Sequence, residues 1–235
     1  MIADIVILIA GGLSGIFVAT LFGRDENRVK LLLSFSGAFL LTLCIIHMLP
    51  EIYASPARNI GVYVLLGFFL QLLLEYFSAG IEHGHLHLHE SSQRGFPYLM
   101  LVSLCLHAFI EATPIHVGLD THQGHESLLW GIALHKIPIS IILMVMLLNA
   151  KLPKVQIYIA LFIFACMAPL GLIAGEQLVS NLDVAHLDLY ILAIASGVIL
   201  HISTIILFES SHNHRFHIMK FGAILIGAIC AIIIF

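Results

Sequence analysis

Residues 100–117, MLVSLCLHAFIEATPIHV, and 128–148, LLWGIALHKIPISIILMVMLL, both read as membrane-spanning helix, yet each carries polar groups near its middle. The first holds His107 and Glu111 in HAFIEA, and the second holds His135 and Lys136 in HKIPIS. A charged side chain at the bilayer centre costs roughly 2.5–3.5 kcal/mol on insertion scales, so such residues persist where something buried needs them. His107 and Glu111 are i and i+4, hence one above the other on a single helix face. His107 lies about ten residues from one end of its stretch and His135 about eight from the facing end of the next, so at 1.5 Å per residue both reach mid-membrane. Three donors from two helices could then meet and leave one coordination position open. This arrangement points to a divalent metal ion in transit. Alone, His107 would read as a packing histidine bonded to a neighbouring helix, and a proton relay through Glu111 is the other use open to the group.

The rest of the chain has the same character. A composition of 60% hydrophobic and 10% charged residues lies far outside the soluble range. Eight apolar runs follow one another: Ile2 to Phe22, Leu31 to Met48, Ile60 to Ser78, Tyr98 to Val117, Leu128 to Leu148, Gln156 to Val179, Leu187 to Phe208 and Ile218 to Phe235. A span needs about 20 such residues to cross roughly 30 Å of hydrocarbon. The expectation is an all-α integral membrane protein of eight transmembrane helices, with residues 1–235 forming one transmembrane domain. The first run starts with Asp4 instead of basic residues and shows no small-residue cleavage site before Arg24, so it reads as a span and not a leader. Cys44, Cys105, Cys166 and Cys230 all lie inside runs, without a CxxC, and read as packing residues. Pro50 is expected to end the second span, Pro114 to bend the fourth and Pro138 to interrupt the fifth, with Pro169 inside the sixth. Gly67, Gly131, Gly171, Gly175 and Gly197 suit helices in close contact.

Lysine and arginine accumulate in cytoplasmic loops. The odd loops hold Arg24, Arg28, Lys30, Arg94, Lys151, Lys154 and Arg215, whereas the even loops hold only Arg58. Odd loops are therefore read as cytoplasmic and both termini as extracytoplasmic. The outer side then carries Glu51, Asp120, Glu126, Asp183 and Asp188, a distribution that concentrates cations at an entrance. The third loop, at about residues 80–97, contains EHGHLHLHE with His83, His85, His87 and His89 at alternate positions. Imidazoles flanked by carboxylates suit zinc and related borderline ions, while a solvated or pH-sensitive tract is the plainer reading. His47, Glu51, Glu75, His201 and Glu209 could line the rest of a route as weak, releasing ligands, though boundary residues such as Glu51 and Glu209 could equally face water.

These residues together resemble the ZIP (Zrt-, Irt-like protein) family of metal transporters. The resemblance runs the whole length: eight spans, GAFLLTLCIIHMLPE at 37–51, the histidine-rich third loop and the paired motifs at 107–112 and 135–140. It implies uptake of zinc or a related divalent metal into the cytoplasm across the cell membrane, bound at His107, Glu111 and His135, by a transporter that is not an enzyme. It also suggests a homodimer. Relatives with a two-metal centre carry polar or acidic residues where this chain has Ala108, Lys136, Ile139 and Ala168. The resemblance therefore implies one central metal and not two, with the Lys136 ammonium standing in for the second ion and pairing with Glu111. A lysine that snorkels toward water is the alternative.

Two other functions fit parts of the pattern. A membrane-embedded zinc hydrolase would need a further ligand set such as HExxH, which is absent. A membrane protein that binds metal without moving it is separated from a transporter only by flux. Two histidines and a carboxylate suit zinc, iron(II), manganese, nickel and cadmium in overlapping degrees. No nucleotide-binding motif is present, and neither an organic cofactor nor nucleic acid is expected as a partner.

Overall fold

The structure, a computed structural model, describes residues 1–21, 26–78, 97–119, 122–208 and 218–234. Among these, every regular element is helical: α1 (Ile2–Leu21), α2 (Glu26–Leu43), a π-helical turn (Cys44–Met48), α3 (Leu49–Ala54), α4 (Ile60–Ser78), α5 (Tyr98–Ala112), α6 (His122–Asn149), α7 (Lys154–Asn181), α8 (Leu187–Phe208) and α9 (Ile218–Ile234). Five stretches are long and apolar enough to cross a bilayer, namely Asn27–Ala54, Ile60–Ser78, Gly124–Asn149, Lys154–Asn181 and Leu187–Phe208. Three further apolar helical stretches, Ile2–Val18 within α1, Tyr98–Ala112 and Ile218–Ile234, are shorter.

Proline chemistry accounts for the differences from the expected runs. Pro114 ends the fourth run instead of bending it: α5 stops at Ala112, and residues 113–117 continue as turns. A proline has no N–H to give and its ring crowds the carbonyl four residues back, here that of Ile110. That carbonyl instead accepts from the Thr113 N–H at 3.2 Å and the Thr113 hydroxyl at 2.7 Å. Pro138 does not interrupt its helix, since α6 continues through it, as α7 does through Pro169. Nearby, the Ser140 hydroxyl donates to the Ile137 carbonyl at 2.8 Å and accepts from the Gly15 N–H of α1 at 2.9 Å. Pro50 does not end the second run either. The chain absorbs it with the π-helical turn that contains His47, then carries on as α3.

The helices pack in two groups. In one, α1 lies on α6 and α7, and α5 lies on α7; in the other, α4 lies on α8, and α2 lies on α8 and α9. The groups meet where α2 touches α6 and where α4 and α8 touch α5. Association of apolar helices depends on close van der Waals fit, so small residues decide which faces meet. Gly171 and Gly175 of α7 form a GxxxG stripe whose missing side chains make room for the carbonyls of Phe109 on α5 and of Thr113 just after it. That stripe holds α5 on both sides of Glu111. Gly67 and Gly197 do the same reciprocally between α4 and α8, against the backbone of Ile194 and of Val64. Cys44 and Cys105 are buried, Cys166 and Cys230 half-buried, and all four are reduced, in keeping with packing roles.

Candidate metal centre

The seam between the two groups holds the polar residues. His107 and Glu111 project from α5 and His135 and Lys136 from α6, all at 0–1% exposure. One donor atom from each of His107, Glu111 and His135 lies within 4.8 Å of the others. The two imidazole rings stand nearly perpendicular, at 82°, with centroids 6.3 Å apart. The three residues singled out as ligands thus come together.

Hydrogen bonds from the other helix group set the state of both rings. His107 Nδ1 lies 3.1 Å from Gln71 Oε1 on α4; an amide oxygen only accepts, so Nδ1 carries the proton and Nε2 the lone pair. For His135, the Ser36 hydroxyl of α2 already donates to the Leu33 carbonyl at 3.2 Å. With the hydroxyl proton so placed, its oxygen accepts from His135 Nδ1, 3.2 Å away, and in that tautomer Nε2 holds the lone pair. The fixing of one ring nitrogen so that the other is presented as a donor is the way metal-ligating histidines are held.

Glu111 completes the geometry. Its Oε2 is 3.2 Å from His107 Nε2. Two lone-pair atoms facing each other at that distance repel unless a proton or a metal ion lies between them. A tetrahedral ion with bonds of about 2.0–2.1 Å places its ligands roughly 3.3 Å apart, close to the spacing found. The other oxygen, Oε1, lies 3.0 Å from Lys136 Nζ. The ammonium also sits 4.8 Å from the centroid of the Phe164 ring, so it points inward to an anion and an aromatic face and does not snorkel.

The remaining candidates divide. Glu75 and His201 come together, with His201 Nε2 2.7 Å from Glu75 Oε2 and the ring edge-on to Phe68 at 4.6 Å. Glu75 lies one helical turn beyond Gln71 on α4, so this pair continues from the central group toward the C-terminal end of α4. His47 and Glu51 are half-buried and, among the described residues, join no three-residue donor group. His83, His85, His87, His89 and Glu209 lie outside the described residues. Ala108, Ile139 and Ala168 are packed into apolar core at 0–1% exposure.

Sequence reasoning missed Gln71 and Ser36. A lone glutamine amid FFLQLLLE was a visible signal, whereas nothing local distinguishes Ser36 from Ser34. It also missed a second group, Asp4, His116 and His125, whose donor atoms lie within 4.8 Å of one another.

An apolar helical bundle that encloses two oriented imidazoles and a carboxylate has the build of a membrane metal-binding protein. The chain belongs to the ZIP zinc transporter family: the family model described as ZIP Zinc transporter matches residues 82–234. Members of that family are metal transporters, and this chain is an integral membrane protein of that kind. No curated protein matches the chain.

Proposed function

We propose that this protein carries divalent metal ions, zinc foremost, across a membrane into the cytoplasm, and that the ion pauses at His107, Glu111 and His135. The carrying observation is the pair of buried imidazoles whose Nδ1 atoms are committed to Gln71 and Ser36, so that lone-pair nitrogens meet Glu111. In this reading the five long stretches and three shorter apolar helices make eight crossings. Both termini face outward, and residues 1–235 act as one transport domain in the cell membrane, assembled as a homodimer. Donors of intermediate softness favour zinc over calcium or magnesium, which prefer oxygen-only cages. Beyond the central group the ion would pass Glu75 and His201 toward the histidine-rich loop, where His83, His85, His87 and His89 receive it.

Lys136 occupies the electrostatic place of a second ion, and the apolar packing of Ala108, Ile139 and Ala168 supports a single central metal. The hydrolase alternative is weakened, because the Glu111 carboxylate that would serve as its general base is paired through Oε1 with Lys136 and is a ligand in this reading through Oε2. The test is zinc uptake into proteoliposomes of the purified protein, with competing ions and with or without a pH gradient. Glu111→Gln keeps shape while removing the charge that compensates a dication, so uptake should fall at least tenfold while the folded yield is unchanged. Parental uptake by both Glu111→Gln and His107→Ala would refute the central site.

A further inference from the structure

The Asp4, His116 and His125 group stands apart from the central site. Asp4 lies in the first turn of α1, His116 in the turns after α5 and His125 in the first turn of α6. His125 precedes His135 by ten residues, which places the two histidines about 15 Å apart along α6. The start of α1 and the connection from α5 into α6 therefore deliver two imidazoles and a carboxylate to one point beyond the central triad, where α5 ends and α6 begins.

The contacts are those of a metal site. His116 Nε2 is 2.8 Å from Asp4 Oδ2, and His125 Nε2 is 3.7 Å from the same oxygen. These spacings bracket the roughly 3.3 Å that a tetrahedral ion imposes on its ligands. The two rings lie 4.8 Å apart between centroids. The other nitrogen of His116, Nδ1, makes a short contact with Glu176 of α7. A carboxylate on one side of an imidazole orients the ring and raises its basicity while the opposite nitrogen ligates, the outer-shell arrangement common at zinc centres. The Met1 amino nitrogen lies 2.9 Å from Asp4 Oδ2, so a bound ion would exchange one cation for another at that oxygen. Unlike the central residues, these are reachable: the side chains of His116, His125 and Glu176 are 13%, 23% and 34% exposed.

We infer that Asp4, His116 and His125 form a second metal site, taking zinc or a similar borderline dication, with Glu176 as the orienting carboxylate. Two imidazoles exclude a calcium or magnesium preference. An open fourth position and partial exposure suit a station that loads from solution and releases. Its use as the outer loading station for the central site rests on the transport reading above; the binding itself does not.

The test uses the full-length protein carrying Glu111→Gln, so that loss of the central site leaves the outcome readable. Zinc-edge anomalous diffraction of this variant soaked in zinc should show a peak between His116, His125 and Asp4. Equilibrium zinc binding should lose one ion per chain on adding either His125→Gln or the shape-conserving Asp4→Asn, with the protein still monodisperse. In the otherwise native protein, Asp4→Asn should raise the zinc concentration for half-maximal uptake about tenfold and leave the maximal rate within twofold, following the usual size of metal-site perturbations. No peak in the zinc-soaked variant, with both substitutions leaving stoichiometry unchanged, would overturn the inference and make His116 a charged clamp between Asp4 and Glu176. A peak with no change in uptake on Asp4→Asn would keep the site and overturn its role as a loading station.

Discussion

Replacing Lys136 with methionine removes a buried cation while keeping most of the side-chain volume, and so isolates the Lys136–Glu111 pair. At 3.0 Å and an effective dielectric of about 20, the gross attraction is about 5–6 kcal/mol. Desolvation of both charges offsets much of this, but removing one partner leaves the other ionised and alone. The net loss on breaking a buried pair is about 3–5 kcal/mol. In Lys136→Met the Glu111 carboxylate, 1% exposed, would be left facing the imidazoles of His107 and His135, so the upper half of that range applies. Unfolding by SDS from mixed micelles with metal chelated should show this loss. The double variant Lys136→Met with Glu111→Gln should recover at least about 2 kcal/mol of it, since no charge is then stranded. Repeating the titration for both proteins at one zinc concentration, about 100 times the single variant's dissociation constant, should return about 2.7 kcal/mol to the single variant and less to the parent, because the ion supplies the missing positive charge and binds the variant more tightly. A Lys136→Met protein within about 0.5 kcal/mol of the parent in chelator, or strictly additive effects in the double variant, would refute the pairing argument.

Other expectations follow from single contacts. Gln71→Leu releases the proton on His107 Nδ1 and should weaken zinc-dependent uptake by about 10–100-fold in half-saturating concentration, with Ser36→Ala acting in the same direction through His135. Gly175→Leu drives a side chain into the Thr113 carbonyl and should lower stability by about 1–3 kcal/mol or more, whereas Gly222→Ala, with open space around it, should be neutral or slightly stabilising in the same SDS titration. Single cysteines in place of Lys151 and Asp183, in a cysteine-free background, should label from opposite sides of intact cells, Asp183 from outside; the reverse pattern would invert the proposed direction of transport.

Much of this site was legible because buried polarity in an apolar chain is rare and therefore conspicuous. His107, Glu111, His135 and Lys136 stand out against stretches of leucine and isoleucine, and the i, i+4 spacing of the first two fixes their shared face without tertiary information. What was not legible depended on contacts between distant segments. Ser36 and Gln71 set the protonation of both rings, yet no local pattern says which helix will meet which ring. Asp4 was weighed only as an argument about a leader, because its meeting with His116 spans 112 positions. The prolines misled for a related reason. Whether Pro114 bends a helix or ends it depends on what satisfies the Ile110 carbonyl, and Thr113 supplies that with its own hydroxyl and N–H. At Pro138 the helix continues, and α1 is bonded to the same turn through Gly15 and Ser140.

The charge balance at the seam explains how a lysine can sit beside a cation path. With both imidazoles neutral, Glu111 and Lys136 cancel, so the central group carries no net charge before an ion arrives. A dication entering it would bring two uncompensated charges into a low-dielectric interior, a state that binds weakly and releases readily. A second carboxylate in place of Ile139, or the loss of Lys136, would deepen that well. A carrier depends on a shallow one, because an ion held too tightly at the centre of the bundle is not passed on. On this argument Lys136 is no obstacle to passage. In the proposed reading it would replace a charge otherwise supplied by an exchangeable ion with one permanently attached to the chain, and so would keep the single position from trapping what it carries.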